Sequence, residues 1–354
     1  MTISSVAVSH FSAIKATPAA RCAPIAVVIP CYRSGERVLQ LIQRIGPEVG
    51  WILVVDDCCP LGTGDLVDSR IADPRVRVIR HASNQGVGGA MVSGYKAALE
   101  TPAVAIVKLD SDGQMDPALI PQLARAVLAG EADYSKGNRF FQVADVRNMP
   151  SLRLLGNAAL SFLSKLSTGY WQLFDPTNGF TAIHRHTLAA LPLDHLARRY
   201  FFESDLLFRL GQLRAVVREL PMRSVYADEP SSLSPLQQIR PFLRGHGSNF
   251  AKRLIYDYLL RGFSVASVQL ILGLLLVGGG SVFGIAEWVA HVHQGVTASA
   301  GTVMLAALPV LVGIQCLLAW LAHDMSSDPR TPYCANAMDD PAPIDAVGSS
   351  TIAH

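Results

Sequence analysis

Residues 103–117 read AVAIVKLDSDGQMDP, an apolar run that leads directly into a short acidic segment. The run has the composition of a strand that is buried on both faces of a sheet, and it ends where the acids begin. Asp110 and Asp112 stand two positions apart, so a tight turn lets both carboxylates face one point. Such a pair repels strongly unless a cation or a proton lies between the two charges. The stretch therefore predicts a buried strand with a charged site at its carboxyl end.

The oxygen-rich segment suits a hard divalent cation. Mg²⁺ and Mn²⁺ prefer oxygen ligands and keep positions open for a diphosphate, and Gln114 adds an amide oxygen to the two carboxylates. The alternative is an Asp-rich turn that starts the next helix, and Asp116 before Pro117 is placed to cap that helix. For Asp110 and Asp112 alone, both interpretations stay open.

Apolar runs alternate with amphipathic stretches on the amino-terminal side of this segment. That rhythm is typical of βαβ units, so we predict an α/β sheet over residues 25–230. Ligands bind at the carboxyl ends of the strands in such sheets. The predicted strands are IAVVIP (25–30), WILVVD (51–56), VRVIR (76–80) and AVAIVKLD (103–110), and the helices between them include RVLQLIQRI (37–45) and VGGAMVSGYKAALE (87–100).

Two further motifs follow predicted strands. Asp56 and Asp57 could accept hydrogen bonds from a nucleobase or a ribose, although Pro60 soon after them also fits a plain turn. NQGVGGA (84–90) places glycines before a helix, but Met91 stands where a dinucleotide-binding pattern needs its third glycine. The glycines therefore predict either close approach of a helix to a ligand or close packing on the sheet.

Two long segments without formal charge occur near the carboxyl end, at 263–286 and 302–322. About 20 helical residues cross a hydrocarbon core of roughly 30 Å, so both are predicted transmembrane helices; buried core helices are the alternative. The loop between them has no Lys or Arg, and the linker before them is basic, which places the α/β domain in the cytoplasm by the positive-inside rule. The basic residues of that linker are Arg240, Arg244, Lys252, Arg253 and Arg261.

The composition agrees with partial residence in lipid. Of 354 residues, 50% are hydrophobic and only 16% are charged, and the mean hydropathy is +0.30. A net charge of +2 argues against binding to nucleic acid. The six scattered cysteines, Cys58 and Cys59 among them, predict reduced thiols. The remaining segments are predicted as a flexible leader (1–24), a basic juxtamembrane segment (231–262) and a disordered tail (323–354).

Six motifs in order resemble the family 2 glycosyltransferases, and within them the dolichyl- and polyprenyl-phosphate hexosyltransferases with a membrane anchor. The resemblance covers roughly residues 25–230 and implies a GT-A-like, Rossmann-like α/β domain that binds a nucleotide sugar. The motifs are VVIPCYRSGE (27–36), VVDDCCPLGTG (54–64), NQGVGGA (84–90), LDSDGQMDP (109–117), KGNRF (136–140) and DPTNGF (175–180).

The resemblance also implies roles for single residues. The D-x-D-x-Q metal motif falls on Asp110, Asp112 and Gln114, which would hold Mg²⁺ or Mn²⁺ and carry catalysis. Arg139 and Arg153 would bind the phosphate of the lipid acceptor, since the planar fork of arginine suits phosphate; surface ion pairs are the alternative. The implied nucleotide-sugar contacts are Pro30, Tyr32, Glu36, Asp56, Asp57, Asn84 and Asp110.

Three positions depart from the family pattern. Arg33 stands where Asn is usual, Cys58 and Cys59 replace Gly-Ser, and Asn138 replaces Ser. These departures bear on the donor loops more than on the metal motif.

The implied reaction is inverting transfer of a hexose from a UDP-glucose or GDP-mannose type donor to polyprenyl phosphate at the cytoplasmic face of the inner membrane. A phosphate acceptor is already ionised and needs no base, whereas a saccharide or protein hydroxyl would need Glu203 or Asp205 as one; either acid could also contact the sugar or simply start a helix. A second alternative is an inactive membrane scaffold. Gly278 to Gly280 could allow close helix packing and a homo-oligomer.

Overall fold

The computed structural model describes residues 24–139, 151–222 and 235–335. Within these ranges a seven-stranded sheet has the order β3-β2-β1-β4-β6-β5-β7, and only β6 runs antiparallel to its neighbours. The predicted α/β fold is therefore confirmed. The strands are β1 Ile25–Cys31, β2 Val49–Asp56, β3 Val76–Arg80, β4 Ala105–Lys108, β5 Tyr134–Asn138, β6 Thr181–His184 and β7 Val217–Pro221.

Helices connect and cover these strands. A 3-10 turn at Pro117–Leu119 precedes α4, and the side chain of Asp116 caps it by accepting from the amide of Ala118, as predicted. A π-helix, Ile255–Arg261, follows α8. The α-helices are α1 Arg37–Gln43, α2 Thr63–Arg70, α3 Gly86–Leu99, α4 Ile120–Leu128, α5 Ser151–Thr168, α6 Arg185–Ala190, α7 Phe202–Gln212, α8 Pro235–Leu254, α9 Val265–Gln294 and α10 Ala300–Met325.

The sheet has an apolar layer on each face. Along β1, Ala26 and Val28 belong to the core beneath α3, whereas Val27 and Ile29 belong to the core beneath α1 and α4. This alternation follows from the two-residue repeat of a strand, and it explains why the run is apolar throughout. The carboxyl ends of β1, β2 and β4 therefore lie at one edge of a sheet that is covered on both faces.

The glycines of NQGVGGA serve packing. Gly86 has φ +83°, and a Cβ on Gly86 or Gly88 would collide with the backbone of residues 197–198. The amide of Gly89 donates to the carbonyl of Arg198 at 3.0 Å. The sequence predicts either close approach to a ligand or close packing on the sheet. The structure shows close packing, but these glycines pack against the loop at residues 197–198 rather than on the sheet. Gly94, one helical turn later, is the glycine whose Cβ would collide with Val28 of the sheet.

α9 and α10 are long and apolar enough to cross a membrane, and they leave most of their side chains uncovered. They pack against each other, because a Cβ on Gly273 would lie 2.8 Å from Leu317 and one on Gly313 would lie 2.8 Å from the backbone of Val277. Gly280 also lies at this contact, while Gly278 and Gly279 meet nothing within 4 Å among the described atoms. The close packing predicted at Gly278 to Gly280 occurs within the chain, at one of those three positions.

The segment after the second apolar helix returns to the sheet. α10 continues to Met325, and the amides of Tyr333 and Cys334 both donate to the buried carboxylate of Asp133 at 2.7 Å. The prediction of disorder from residue 323 onward is thus wrong for residues 323–335. The physical reason is that Asp133, buried before β5, needs donors, and this segment supplies two of them. Residues 336–354 lie outside the described part.

Candidate active site

A buried lysine organises the acidic segment. Lys108 is the last residue of β4, and its side chain is 2% exposed. Its Nζ lies 2.7 Å from Oδ1 of Asp110 and 3.1 Å from Oε1 of Glu203 at the start of α7. Burial alone would lower the pKa of Lys108, but the two carboxylates outweigh burial and raise that pKa above its usual value. The ammonium is therefore charged and joins two predicted site acids.

Gly179 leaves the space that this cluster needs. A Cβ at this position would collide with Nζ of Lys108 and Oδ2 of Asp110. The glycine belongs to DPTNGF, where Asn178 Oδ1 accepts from the amide of Phe180 just before β6. The motif thus turns the chain so that only backbone lies against Lys108 and Asp110.

Asp112 lies in the turn that follows. Its Oδ1 accepts from the amide of Gln114 at 3.0 Å, and partial burial together with the charge of Asp110 raises the pKa of its carboxyl group. The side chain of Gln114 is exposed. Ser111 Oγ lies 2.6 Å from Ser34 Oγ, so this turn contacts the loop after β1.

The donor set fits a divalent cation shared with a substrate. Within the described ranges, no group of three or more acid, His or Cys side chains is placed to hold a metal ion alone. Mg²⁺ commonly uses one or two carboxylates and completes its shell with water and substrate phosphate. Oδ2 of Asp110 lies beside Gly179. The negative charge of Asp110 disfavours the charge on Asp112, so a cation between the two carboxylates would relieve their repulsion.

Asp56 and Asp57 are held by backbone amides. The carboxylate of Asp56 accepts from the amides of Cys59 at 2.7 Å and Gly64 at 2.6 Å, which fixes the turn after β2. That of Asp57 accepts from the amides of Gln85 and Gly86, each at 2.8 Å, and so joins β2 to the start of α3. The structure gives both acids a role in shaping the loops, and their nucleotide contacts remain predictions.

The departures in the donor loops have a backbone explanation. Arg33 and Cys58 both have positive φ, +58° and +55°, the region that Asn and Gly adopt most easily. Asn and Gly, which are usual at these positions in the family, would therefore adopt this backbone more easily than the Arg33 and Cys58 of this chain. The thiol of Cys59 accepts from the amide of Arg33 at 3.0 Å and so links the two loops. The five described cysteines are unpaired.

The other predicted donor contacts lie at the same edge of the sheet. Pro30 is in β1 beside Val55, Tyr32 is 46% exposed just after β1, and Glu36 precedes α1. Asn84 is exposed before α3. Their positions agree with a binding rim, while their individual roles stay predictions.

Arg139 follows β5 and faces a buried acid. Its Nε and Nη2 donate to the two carboxylate oxygens of Asp175, at 2.8 and 3.1 Å. Burial opposes ionisation of Asp175, but these bonds hold the pKa of its carboxyl group below the usual value. The guanidinium is thus oriented by DPTNGF. Arg153 lies in α5, and its side chain is outside the described residues.

Asp205 does not share the Lys108 cluster. Its oxygens accept from the amide of Ala197 at 3.0 Å, from Arg209 at 3.2 Å and from Asn249 of α8 at 3.2 Å. Of the two acids predicted as a base or sugar contact, only Glu203 is connected to Asp110. The contacts of Asp205 hold α7 to its neighbours.

Sequence reasoning missed Lys108, Asp175 and Gly179 as organising residues. The sequence does show Lys108 as a single charged residue near the end of an apolar strand. A lysine in a strand that is buried on both faces needs acidic partners, so this position was the available signal. The pairing of Asp175 with Arg139, 36 positions away, has no local signature.

The seven-stranded sheet and the loops at its carboxyl edge form a GT-A-like α/β domain. The family model for glycosyl transferase family 2 matches residues 26–191. The chain is 33% identical over 205 residues to undecaprenyl-phosphate mannosyltransferase of Micrococcus luteus, covering 57% of this chain and 83% of that one. It is 34% identical over 202 residues to polyprenol monophosphomannose synthase of Mycolicibacterium smegmatis, covering 55% and 75%. The chain belongs to the family 2 glycosyltransferases, as predicted, and is a glycosyltransferase.

Two further relatives extend the range. UDP-N-acetylglucosamine–dolichyl-phosphate N-acetylglucosaminyltransferase of Methanococcus voltae is 26% identical over 218 residues, covering 58% of this chain and 86% of that one. Among solved structures, glucosyl-3-phosphoglycerate synthase of Mycobacterium tuberculosis is 20% identical, with a TM-score of 0.46, covering 66% of this chain and 81% of that one.

Proposed function

We propose that this chain transfers a hexose from a nucleotide sugar to a polyprenyl phosphate, with inversion, at the cytoplasmic face of the cell membrane. The observation that carries the proposal is the Lys108, Asp110 and Glu203 cluster at the carboxyl edge of the sheet, with Asp112 beside it. Relatives named for polyprenyl and dolichyl phosphate acceptors support the choice of acceptor. Mannose is the first donor sugar to test, since the first two of these relatives are mannosyl enzymes.

Transfer at this site requires neutralisation of charge on the leaving diphosphate more than removal of a proton from the acceptor. A phosphate acceptor is ionised at neutral pH, so the nucleophile needs no base. A divalent cation bound by Asp110 and Asp112, with the Gln114 amide nearby, would neutralise charge on the leaving diphosphate. Lys108 holds Asp110 in place and occupies the carboxylate of Glu203, which leaves Glu203 better suited to orienting than to abstracting a proton.

Acceptor binding would use Arg139. Arg139 directly follows β5, and its guanidinium is fixed by Asp175 of DPTNGF. A fixed fork loses little freedom when it binds phosphate. The bond to Asp175 also offsets part of its charge, so we expect Arg139 to position the acceptor rather than to bind it alone. Arg153 stays a proposed second contact.

The membrane anchor is the hairpin of α9 and α10. Both helices start or end beside the basic segment that includes α8, and the chain after α10 returns to Asp133 of the transferase domain. The transferase domain therefore lies at the end of the hairpin that carries the basic residues, which the positive-inside rule assigns to the cytoplasm. α8 and the π-helix after it would lie along the lipid headgroups and bring the acceptor near Asp112.

The test uses the full-length protein in detergent with undecaprenyl phosphate, Mg²⁺ or Mn²⁺ and a panel of GDP- and UDP-sugars, and it identifies the lipid product by mass. We expect one donor to give a hexosyl phospholipid, and excess chelator to stop its formation. Undiminished transfer in chelator would contradict metal dependence. Turnover with a saccharide or peptide hydroxyl but not with the lipid would contradict the acceptor.

A further inference from the structure

A polar cavity of about 410 Å³ lies where the transferase domain, the π-helix and the two apolar helices meet. It is separate from the active site, because Glu203 is near the start of α7 while Gly211 lines the cavity at its end, about 12 Å further along the axis. The residues of its lining that matter here are Gly211, Arg214, Arg253, Asp257, Arg261 and Asp324.

One part of the wall is a satisfied ionic network. The side chain of Asp324, at the end of α10, is 2% exposed. Its Oδ1 accepts from Arg253 and from the hydroxyl of Tyr258, and its Oδ2 accepts from Trp171 Nε1 at 2.7 Å. Arg253 also lies 3.4 Å from Asp257. Both acids of the cavity thus contact Arg253, and Asp257 also interacts electrostatically with Arg261 and Arg214, so three arginines share two carboxylates and two of the arginines have no ion pair of their own.

Arg214 and Arg261 are those arginines. Arg214 Nη2 donates to the carbonyl of Ser327 at 3.3 Å, and Arg261 Nη1 donates to the carbonyl of Gln212 at 2.6 Å. Among the residues that the structure describes, neither guanidinium forms an ion pair with a carboxylate. Each keeps further N–H groups, and the cavity lining carries three arginines against two aspartates. Its charge therefore favours an anion.

The backbone at Arg214 points to a need for its side chain. Arg214 follows α7 with φ +54°, a left-handed conformation that helices usually end on with glycine. Arginine is disfavoured there, so the chain holds this guanidinium in place at a conformational cost.

The cavity lies at the level where a membrane surface is expected, a step that rests on the proposed membrane hairpin. Ser264, which caps α9, and His323 in the last turn of α10 both line it. Leu260 and Phe263 beside it are 73% and 68% exposed. A ligand with a charged head and an apolar tail would contact both kinds of surface.

We propose that this cavity binds the phosphate group of an anionic phospholipid of the same leaflet, with Arg214 and Arg261 as its ligands. Arginine forks bind phosphate oxygens in pairs, and the acyl chains would cover Leu260 and Phe263. Free phosphate shares the head-group chemistry but not the apolar contacts. The lipid would fix the basic segment, and with it the transferase domain, against the membrane surface.

The experiment measures binding of phosphatidylglycerol, phosphatidylcholine and inorganic phosphate to full-length protein in detergent, by native mass spectrometry and by the shift in melting temperature. The test variant is the double change Arg214→Gly and Arg261→Gln. Glycine suits the positive φ at 214, so without lipid this variant should melt no lower because of that change. The control carries the paired changes Arg70→Gln and Arg125→Gln, which remove the same two charges from exposed positions of α2 and α4 outside the cavity.

We expect wild type and control to bind phosphatidylglycerol equally within about twofold, and the double variant to bind it at least about tenfold more weakly. Phosphatidylcholine and inorganic phosphate should bind wild type much more weakly. Unchanged binding by the double variant, or an equal loss in the control, would overturn the site. Inorganic phosphate binding as tightly as the lipid would overturn the choice of a lipid. The readout needs no turnover, so it is independent of the proposed transfer reaction.

Discussion

Two places in the described part of the molecule hold a buried cation between two carboxylates. At the active site, Lys108 lies 2.7 Å from Asp110 and 3.1 Å from Glu203. Beside the two long apolar helices α9 and α10, Arg253 contacts Asp324 and lies 3.4 Å from Asp257. The side chains of the two cations are almost equally hidden, at 2% and 6% exposure.

The two clusters differ in what else the acids contact. Asp324 is 2% exposed and also accepts from Trp171 and Tyr258, so its hydrogen-bonding capacity is used for holding helices together. Asp110 and Glu203 are 30% and 17% exposed, and within the described residues their carboxylates accept from Lys108 alone. The two clusters therefore have similar charges but different roles. A carboxylate whose oxygens are occupied by hydrogen bonds holds the structure together, whereas one that can still accept hydrogen bonds can bind a ligand.

The largest effect is expected at the active-site cluster. Changing both Asp110→Asn and Asp112→Asn removes the charges that would bind the cation, so transfer should fall on the order of a thousandfold, about 4 kcal/mol. Product mass after timed incubation measures this loss. The matched control is Asp116→Asn in the same loop, whose ion pair with Arg44 is exposed, and it should retain most activity. A normal transfer rate in the double variant would contradict the assignment of the active-site cluster to ligand binding.

Substitutions in the Arg253, Asp324 and Asp257 cluster should change the stability of the protein. Asp324→Asn leaves Arg253 buried without its main counter-charge, and we expect a loss of about 3 kcal/mol in unfolding free energy. The control Asp257→Asn affects a side chain that is 29% exposed and should cost less than about 1 kcal/mol. Denaturant titration in detergent compares the two. Equal, small losses would show that Asp324 does not hold the helices.

Glu203→Gln separates the two acceptor chemistries. The amide still reaches Lys108 but leaves that ammonium with one counter-charge fewer, so transfer to polyprenyl phosphate should fall by no more than about tenfold. If Glu203 were the base for a hydroxyl acceptor, the loss would be on the order of a thousandfold and the acid limb of the pH–rate profile would disappear. The rate and its pH profile, measured together, decide between them.

A third buried basic residue sharpens the contrast, because His246 in α8 has no acidic partner among the described residues. It is 2% exposed beside Phe201 and Phe242, its Nδ1 lies 2.8 Å from Ser167 Oγ, and burial lowers the pKa of its imidazole to about 4. The unfolded chain binds this proton from about pH 6.5 downward. The contribution of His246 to stability should be complete above that pH and be lost as the pH drops toward 4, by roughly 2 kcal/mol at pH 5.

Melting temperatures between pH 7.5 and 5 test this effect against His246→Phe, which cannot titrate. We expect the variant to lose less stability than wild type over that interval. Parallel curves for the two proteins would mean that another group carries the acid sensitivity.

Local sequence was sufficient for much of the domain. The predicted strands at 25–30, 51–56, 76–80 and 103–110 each overlap an observed strand, because apolar runs between turn residues have few other solutions. The order of motifs gave the family. The antiparallel direction of β6 was not predicted, since strand direction depends on the path of the whole chain.

What the sequence determined by itself was four of the seven strands, the two apolar helices and the pair of acids at 110 and 112, because these depend on neighbours within a few positions. Only tertiary structure decided which charges meet: Lys108 with Glu203, Arg139 with Asp175, and Arg253 with Asp324, pairs separated by 36 to 95 positions. It also ordered residues 323–335, whose polar composition predicts disorder until buried Asp133 supplies acceptors. The physical reason is that burying a charge is costly unless a partner arrives, and the fold alone brings distant partners within reach.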